Sequence, residues 1–254
     1  MADSAAAVPL LMLIDDDEQQ LGKLEGGLKA RLDAQVEILT VRPDRNDVTR
    51  DLLDSILAKR PTLVVTDHDL TEYGPPGLMG DSIIAWCRSN AIPVGDYSRK
   101  LDSELEEPDI FEFRFSNDLE IAVEQISELV LGFHELAALL ANQQNQGESW
   151  SSRLAEALEH PSAAASFSLY SARTGASHAV VIERLEKAHG KEAARDMLAT
   201  YVLGHLLRNG ILRYPGPLMN AHALCSYVAA SDDRNTEAAA LFKAARYAGP
   251  FGRQ

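Results

Sequence analysis

Cysteine is nearly missing from this chain. Its two copies, Cys87 and Cys225, each lie within an apolar helical pattern, too few for a disulfide framework and suited to burial as small apolar residues in a reducing compartment. The N-terminus lacks a basic n-region, and its first apolar stretch is too short to span a bilayer. No secretory signal or transmembrane helix is therefore predicted, and a cytoplasmic location without membrane contact is expected. There is no Gly-rich phosphate loop, nucleophile elbow or HExxH motif. His160, His178, His189, His205 and His222 show no short metal-type spacing and no paired cysteines, which argues against zinc. Basic residues are scarce in the first half: residues 1–140 carry 28 acidic and 12 basic side chains, a net of −16, whereas residues 141–254 carry 10 and 12, a net of +2. Duplex binding needs Lys and Arg to neutralise phosphates, so a nucleic-acid role is not expected of the first half and stays open for the second.

What is present begins with apolar residues. At 254 residues, 46% hydrophobic and 24% charged, the chain can bury a real core in one or two domains. The alanine-rich usage suggests a bacterial source. Leu10–Ile14 is an apolar run that ends on Asp15-Asp16-Asp17, and a second run, Leu63–Thr66, ends on Asp67. Buried strands that deliver carboxylates at their C-terminal ends make an oxygen-rich pocket suited to Mg²⁺ and phosphoryl chemistry. About fifty residues separate the two ends, enough for a strand–helix–strand–helix–strand progression of ordinary element lengths. Glu18 to Leu32 reads as a first helix, Val36 to Val41 as a second strand, Asp47 to Lys59 as a second helix broken by Arg60-Pro61, and Leu78 to Arg88 as a third helix.

Residues 9–140 resemble the receiver domain of response regulators. The resemblance implies a doubly wound α/β fold with a five-stranded parallel sheet of order 2-1-3-4-5. It implies Mg²⁺ as cofactor, held by Asp15 and Asp16 with Asp67, the last being the phosphoacceptor, while Asp69 contributes mainly its backbone carbonyl to the metal. Gly80 stands where receivers place a glycine before the third helix. Ser98, ending Ile92-Pro93-Val94-Gly95-Asp96-Tyr97-Ser98, takes the hydroxyl position that engages the phosphoryl group, and a histidine kinase or small phosphodonor becomes a partner. Two departures stand out. Receivers end the fifth strand with a lysine, whereas Asp109–Phe115 offers Arg114, a planar fork that need not reproduce a point charge. Arg99 to Pro108 is too short and too acidic for a comfortable fourth helix. An atypical receiver is expected, with metal binding retained and phosphorylation switching impaired.

The same residues admit other readings. Asp after a strand often only caps the next helix. Asp67-His68-Asp69-Leu70-Thr71 also fits the Asp-x-Asp-x-Thr pattern of haloacid-dehalogenase-like phosphatases, with Asp67 as nucleophile and Asp69 as general acid. Chain order opposes this, because those enzymes place the metal-binding acidic pair after the nucleophile, and no insertion is large enough for a cap.

Leu119, Val123, Ile126, Val130, Phe133, Ala137 and Leu140 alternate in steps of four and three, a heptad seam on a long helix with further apolar positions beside it. One face is expected on the sheet. The rest calls for dimerisation, a protein partner or the C-terminal domain. Residues 143–149 are a polar linker, so the expected organisation is a receiver-like domain at 1–142 and an all-α interaction domain at 150–254. Trp150 to His160, His178 to His189, Glu192 to Asn209, Met219 to Ala230 and Thr236 to Tyr247 show helical spacing, with Gly210 and Gly249 at C-cap positions. Arg213–Leu218 is echoed by Arg246–Phe251, which suits a recurrent turn. Arg184, Lys187, Lys191 and Arg195 form a basic stripe, but interleaved Glu183, Glu186, Glu192 and Asp196 point to a solvated face rather than a DNA-binding output. A signalling or adaptor protein that acts by binding is the expected function. A DNA-binding regulator and a phosphatase are the alternatives.

Overall fold

The computed structural model describes residues 8–97, 111–141, 149–171, 179–213, 218–219 and 249–252. The chain divides into two compact units, Met1–Val130 and Leu131–Gln254.

The first unit is a parallel sheet of order β2-β1-β3-β4-β5, built from β1 (Leu10–Ile14), β2 (Glu37–Val41), β3 (Leu63–Thr66), β4 (Val94–Asp96) and β5 (Phe113–Arg114). The helices α1 (Glu18–Leu32), α2 (Thr49–Lys59) and α3 (Gly80–Ser89) cross between successive strands, and α4 (Leu119–Ala141) follows β5. This is the expected doubly wound α/β topology. Short apolar strands in a parallel sheet are covered on both faces, and the burial follows: every residue of β3 and β4 is buried. Alternate residues divide between the faces. Met12, Ile14, Val64 and Val94 join Ile56 of α2 and Ile83, Ile84 and Cys87 of α3 in one core. Trp86 Nε1 donates to the Leu53 carbonyl at 3.1 Å and ties α3 to α2. Elsewhere Leu21, Leu24, Leu28 and Leu32 of α1 are buried, and a Cβ on Gly27 would meet Val123 of α4 at 2.8 Å.

Helix boundaries have local causes. α1 begins where Asp17 accepts from the Gln19 and Gln20 amides at 2.8 and 3.3 Å. α2 ends at Arg60, which adopts the left-handed conformation before Pro61 forbids continuation.

The second unit contains α5 (Trp150–Ala157), α6 (Ala164–Ser171), α7 (Ala179–His189) and α8 (Lys191–His205), the last running on into a π-helical segment, Leu206–Ile211. A helical C-terminal part was expected. Gly210 does not end a helix as predicted: it is buried inside the π-helical turn, where the apolar neighbours Leu206, Leu207 and Ile211 continue the buried face. The short α6 (AASFSLYS) was not among the predicted helices. The predicted helices Met219 to Ala230, beyond Met219 itself, and Thr236 to Tyr247 lie outside the described residues. Phe133 stacks edge-on against Phe251 (centroids 5.1 Å apart) and His205 (5.5 Å), and a Cβ on Gly204 would meet the Phe133 ring at 2.2 Å. Leu218 and Phe251, which close the two echoed segments, are both buried.

α4 runs across the boundary between the two units. Ile126 through Val130 are all buried, as are Phe133, Leu136 and Leu140, while Ile121 is exposed. Among the described residues no helix is long and apolar enough to cross a membrane.

Candidate metal centre

Parallel strands end their C-terminal edges together, and β1 and β3 are adjacent, with Ile14 opposite Thr66. The residues that follow these two therefore share one spot. Carboxylate oxygens of Asp15, Asp16 and Asp67 lie within 4.8 Å of one another, Asp15 and Asp16 buried and Asp67 half-buried. Backbone pairing fixes this edge: Asp67 N donates to the Ile14 carbonyl at 2.9 Å and Asp15 N to the Val41 carbonyl at 3.3 Å.

The three consecutive aspartates have three different tasks. Asp15 Oδ1 accepts from Asp17 N at 2.8 Å, and Asp17 caps α1. Asp16 reaches across to the β3–α3 loop, where its Oδ2 accepts from the Tyr73 and Gly74 amides at 2.6 and 3.0 Å. Arg42, just past β2, closes the other side, donating from Nε to the Asp16 carbonyl at 3.3 Å and from Nη1 to Glu18 at 2.8 Å. None of Arg42, Tyr73 or Gly74 was singled out from sequence. The turn-rich Tyr73-Gly74-Pro75-Pro76-Gly77 was a visible signal for a loop, but not for its carboxylate partner.

Burial pushes the Asp15 carboxyl up to about 7, reinforced by the nearby charges of Asp67, Asp16 and Asp17 and opposed by the Asp17 amide. Excess negative charge held out of water is what a hard cation relieves, and carboxylate oxygens are the donors Mg²⁺ or Ca²⁺ prefers. The residues present fit such an ion.

Gly80 is required by close approach. A Cβ there would meet the Asp67 carbonyl oxygen at 2.2 Å and His68 Cα at 3.0 Å, because Gly80 N donates to the His68 carbonyl at 2.9 Å and draws α3 onto the loop. The exposed Asp69 carboxylate is not one of the triad and accepts from the Thr71 amide and hydroxyl at 3.1 and 2.6 Å. Ser98 lies outside the described residues. Arg114 follows Phe113 in β5, where its Nε stands 3.7 Å from Asp96 Oδ2 on the neighbouring strand. Burial raises the Asp96 carboxyl, with Arg114 and then His68 pulling the other way. His68 Nδ1 is also 3.6 Å from Asp81.

Comparison with protein-family models, with curated proteins and with solved structures finds no match to this chain.

Proposed function

We propose that this chain is an atypical receiver-like signalling or adaptor protein that works by binding, with a Mg²⁺ site at Asp15, Asp16 and Asp67 and with phosphorylation switching curtailed. The observation that carries this is the convergence of three carboxylates, two of them buried, at the C-terminal ends of adjacent strands in a sheet of order 2-1-3-4-5. Strand ends in open α/β sheets are where ligands bind. When bound, Mg²⁺ would neutralise the cluster and stabilise the oxygens of a phosphoryl group at Asp67. Asp15 and Asp16 would hold the ion, and Asp16 would also hold the Tyr73–Gly74 loop beside it. Arg114, the cation expected to sense such a group, faces Asp96 instead, which favours metal binding without a full switch. A histidine kinase remains a candidate donor. The helical second unit and α4 would supply contacts to a protein partner or a second copy, in a cytoplasmic setting.

Calorimetric titration with Mg²⁺ and parallel thermal melts test the site. Mg²⁺ should bind and raise the melting temperature of the unmodified chain, and Asp67→Asn should abolish both effects. Beryllofluoride added with Mg²⁺ should have little further effect. Absence of any Mg²⁺ effect would rule out the metal reading, whereas a strong beryllofluoride response would establish a working phosphorylation switch.

A further inference from the structure

Asp96 and Arg114 are register partners across the β4–β5 ladder, and Asp96 is likewise the partner of Thr66, the residue before Asp67. The three therefore form one row at the edge of the sheet that carries the acidic triad. Arg114 is two strands from β3, about 9.6 Å between backbones at ordinary strand spacing, and an extended arginine stem covers much of that span. Its contact with Asp96 is a loose one. The Nε–Oδ2 separation of 3.7 Å exceeds hydrogen-bond length, and the buried Nε has no hydrogen-bond acceptor among the described residues. What holds the pair is the other partner: Asp96 is only 5% exposed, so removing the guanidinium would leave a buried carboxylate without its cation, a costly state.

We infer that Asp96 is an autoinhibitory counter-ion that retains Arg114 on the β4–β5 edge and keeps it from an anion seated over Asp67. This rests on the proposed reading of the triad as a metal and phosphoryl site. It would let a cation stand two strands from the site without answering a phosphoryl group there. The loose geometry sets the direction of the effect: removing the charge on Asp96 removes the one ion pair that Arg114 makes among the described residues, and a planar fork suits the oxygens of a tetrahedral anion. Asp96 acts through Arg114 and is a positioning residue.

The test titrates beryllofluoride at saturating Mg²⁺ into the full chain, read by melting temperature and calorimetry. Unmodified protein should show no measurable response. Asp96→Asn should bind Mg²⁺ unchanged but gain a beryllofluoride response, with apparent affinity at least tenfold above the weakest the assay detects, and Asp96→Asn/Arg114→Met should lose that gain. A merely structural Asp96 would not produce a gain that depends on Arg114. If Asp96→Asn does not fold, Asp96→Thr, compatible with a strand, carries the same expectations. A response already present in the unmodified chain, no gain in the Asp96 variant, or a gain that survives removal of Arg114 would each overturn the inference. Loss of Mg²⁺ binding in every variant, the parent included, would overturn the metal reading itself and this inference with it.

Discussion

Asp16 and Asp67 belong to one carboxylate cluster, yet their replacement should move the stability of the metal-free protein in opposite directions. Asp16→Ala removes the oxygen that accepts from Tyr73 N and Gly74 N. An orphaned buried donor costs about 1 to 3 kcal/mol, and the Tyr73 amide is partly open to water, so the expected loss is about 2 to 4 kcal/mol after relief of charge repulsion. For a unit of this size that corresponds to a fall of roughly 5 to 15 °C in melting temperature. Asp67→Asn keeps the shape and removes a charge. Two ionised carboxylates within 4.8 Å repel by about 3 kcal/mol at an effective dielectric of about 20, and Asp15, pushed up to about 7, already sheds part of that by holding a proton. A gain of about 0.5 to 1.5 kcal/mol should remain. Mg²⁺ at ten times its dissociation constant should add about 1.4 kcal/mol to the parent by mass action and nothing to either variant. Thermal melts followed by Trp86 fluorescence in a Trp150→Phe background isolate the first unit. A neutral Asp16→Ala would refute the loop-clamp role, and a loss above about 2 kcal/mol for Asp67→Asn would make Asp67 a structural hydrogen-bonding residue rather than part of a repulsive site.

The pH dependence follows from Asp15. Its folded pKa is raised, so its contribution to stability is fully present below the ordinary value of 3.8 and is lost as pH rises through about 7; metal-free melts should show this decline, and the Mg²⁺ increment should grow over the same range because proton and metal compete. Gly80→Ala forces a Cβ to 2.2 Å from the Asp67 carbonyl oxygen and should cost about 2 to 3 kcal/mol while weakening Mg²⁺ binding by displacing Asp67, as denaturant melts and calorimetry would reveal. Phe133→Glu places a charge at a site that is 1% exposed and packed against Phe251 and His205. It should abolish cooperative melting of the second unit, and a well-folded variant would show that α4 is not integral to that core.

Much of the first unit was legible because its signals are local. The α1 range could be read residue for residue, since Asp17 caps it and its leucines recur at helical spacing; β3 likewise stands out as an apolar run between a proline break and an acidic end. Where signals were short or non-local the reading failed. β4 and β5 are shorter than their apolar flanks suggested, because parallel pairing and not hydrophobicity sets where a strand ends. Gly210 was expected to cap a helix, but its φ is not positive and apolar neighbours carry the helical path past it. Capping chemistry alone could not show that.

The sequence by itself determined the α/β order of the first unit, the helical character of the second and the candidacy of Asp15, Asp16 and Asp67, because strand and helix periodicity and the residue types at strand ends are properties of short stretches. Only the tertiary structure decided what those residues do together. Adjacent parallel strands brought the three carboxylates within reach of one another, a loop nearly sixty residues away turned Asp16 into a clamp, and the β4–β5 register set Arg114 against Asp96. Each of these is a relation between distant segments, fixed by sheet order and register, and no local pattern encodes it.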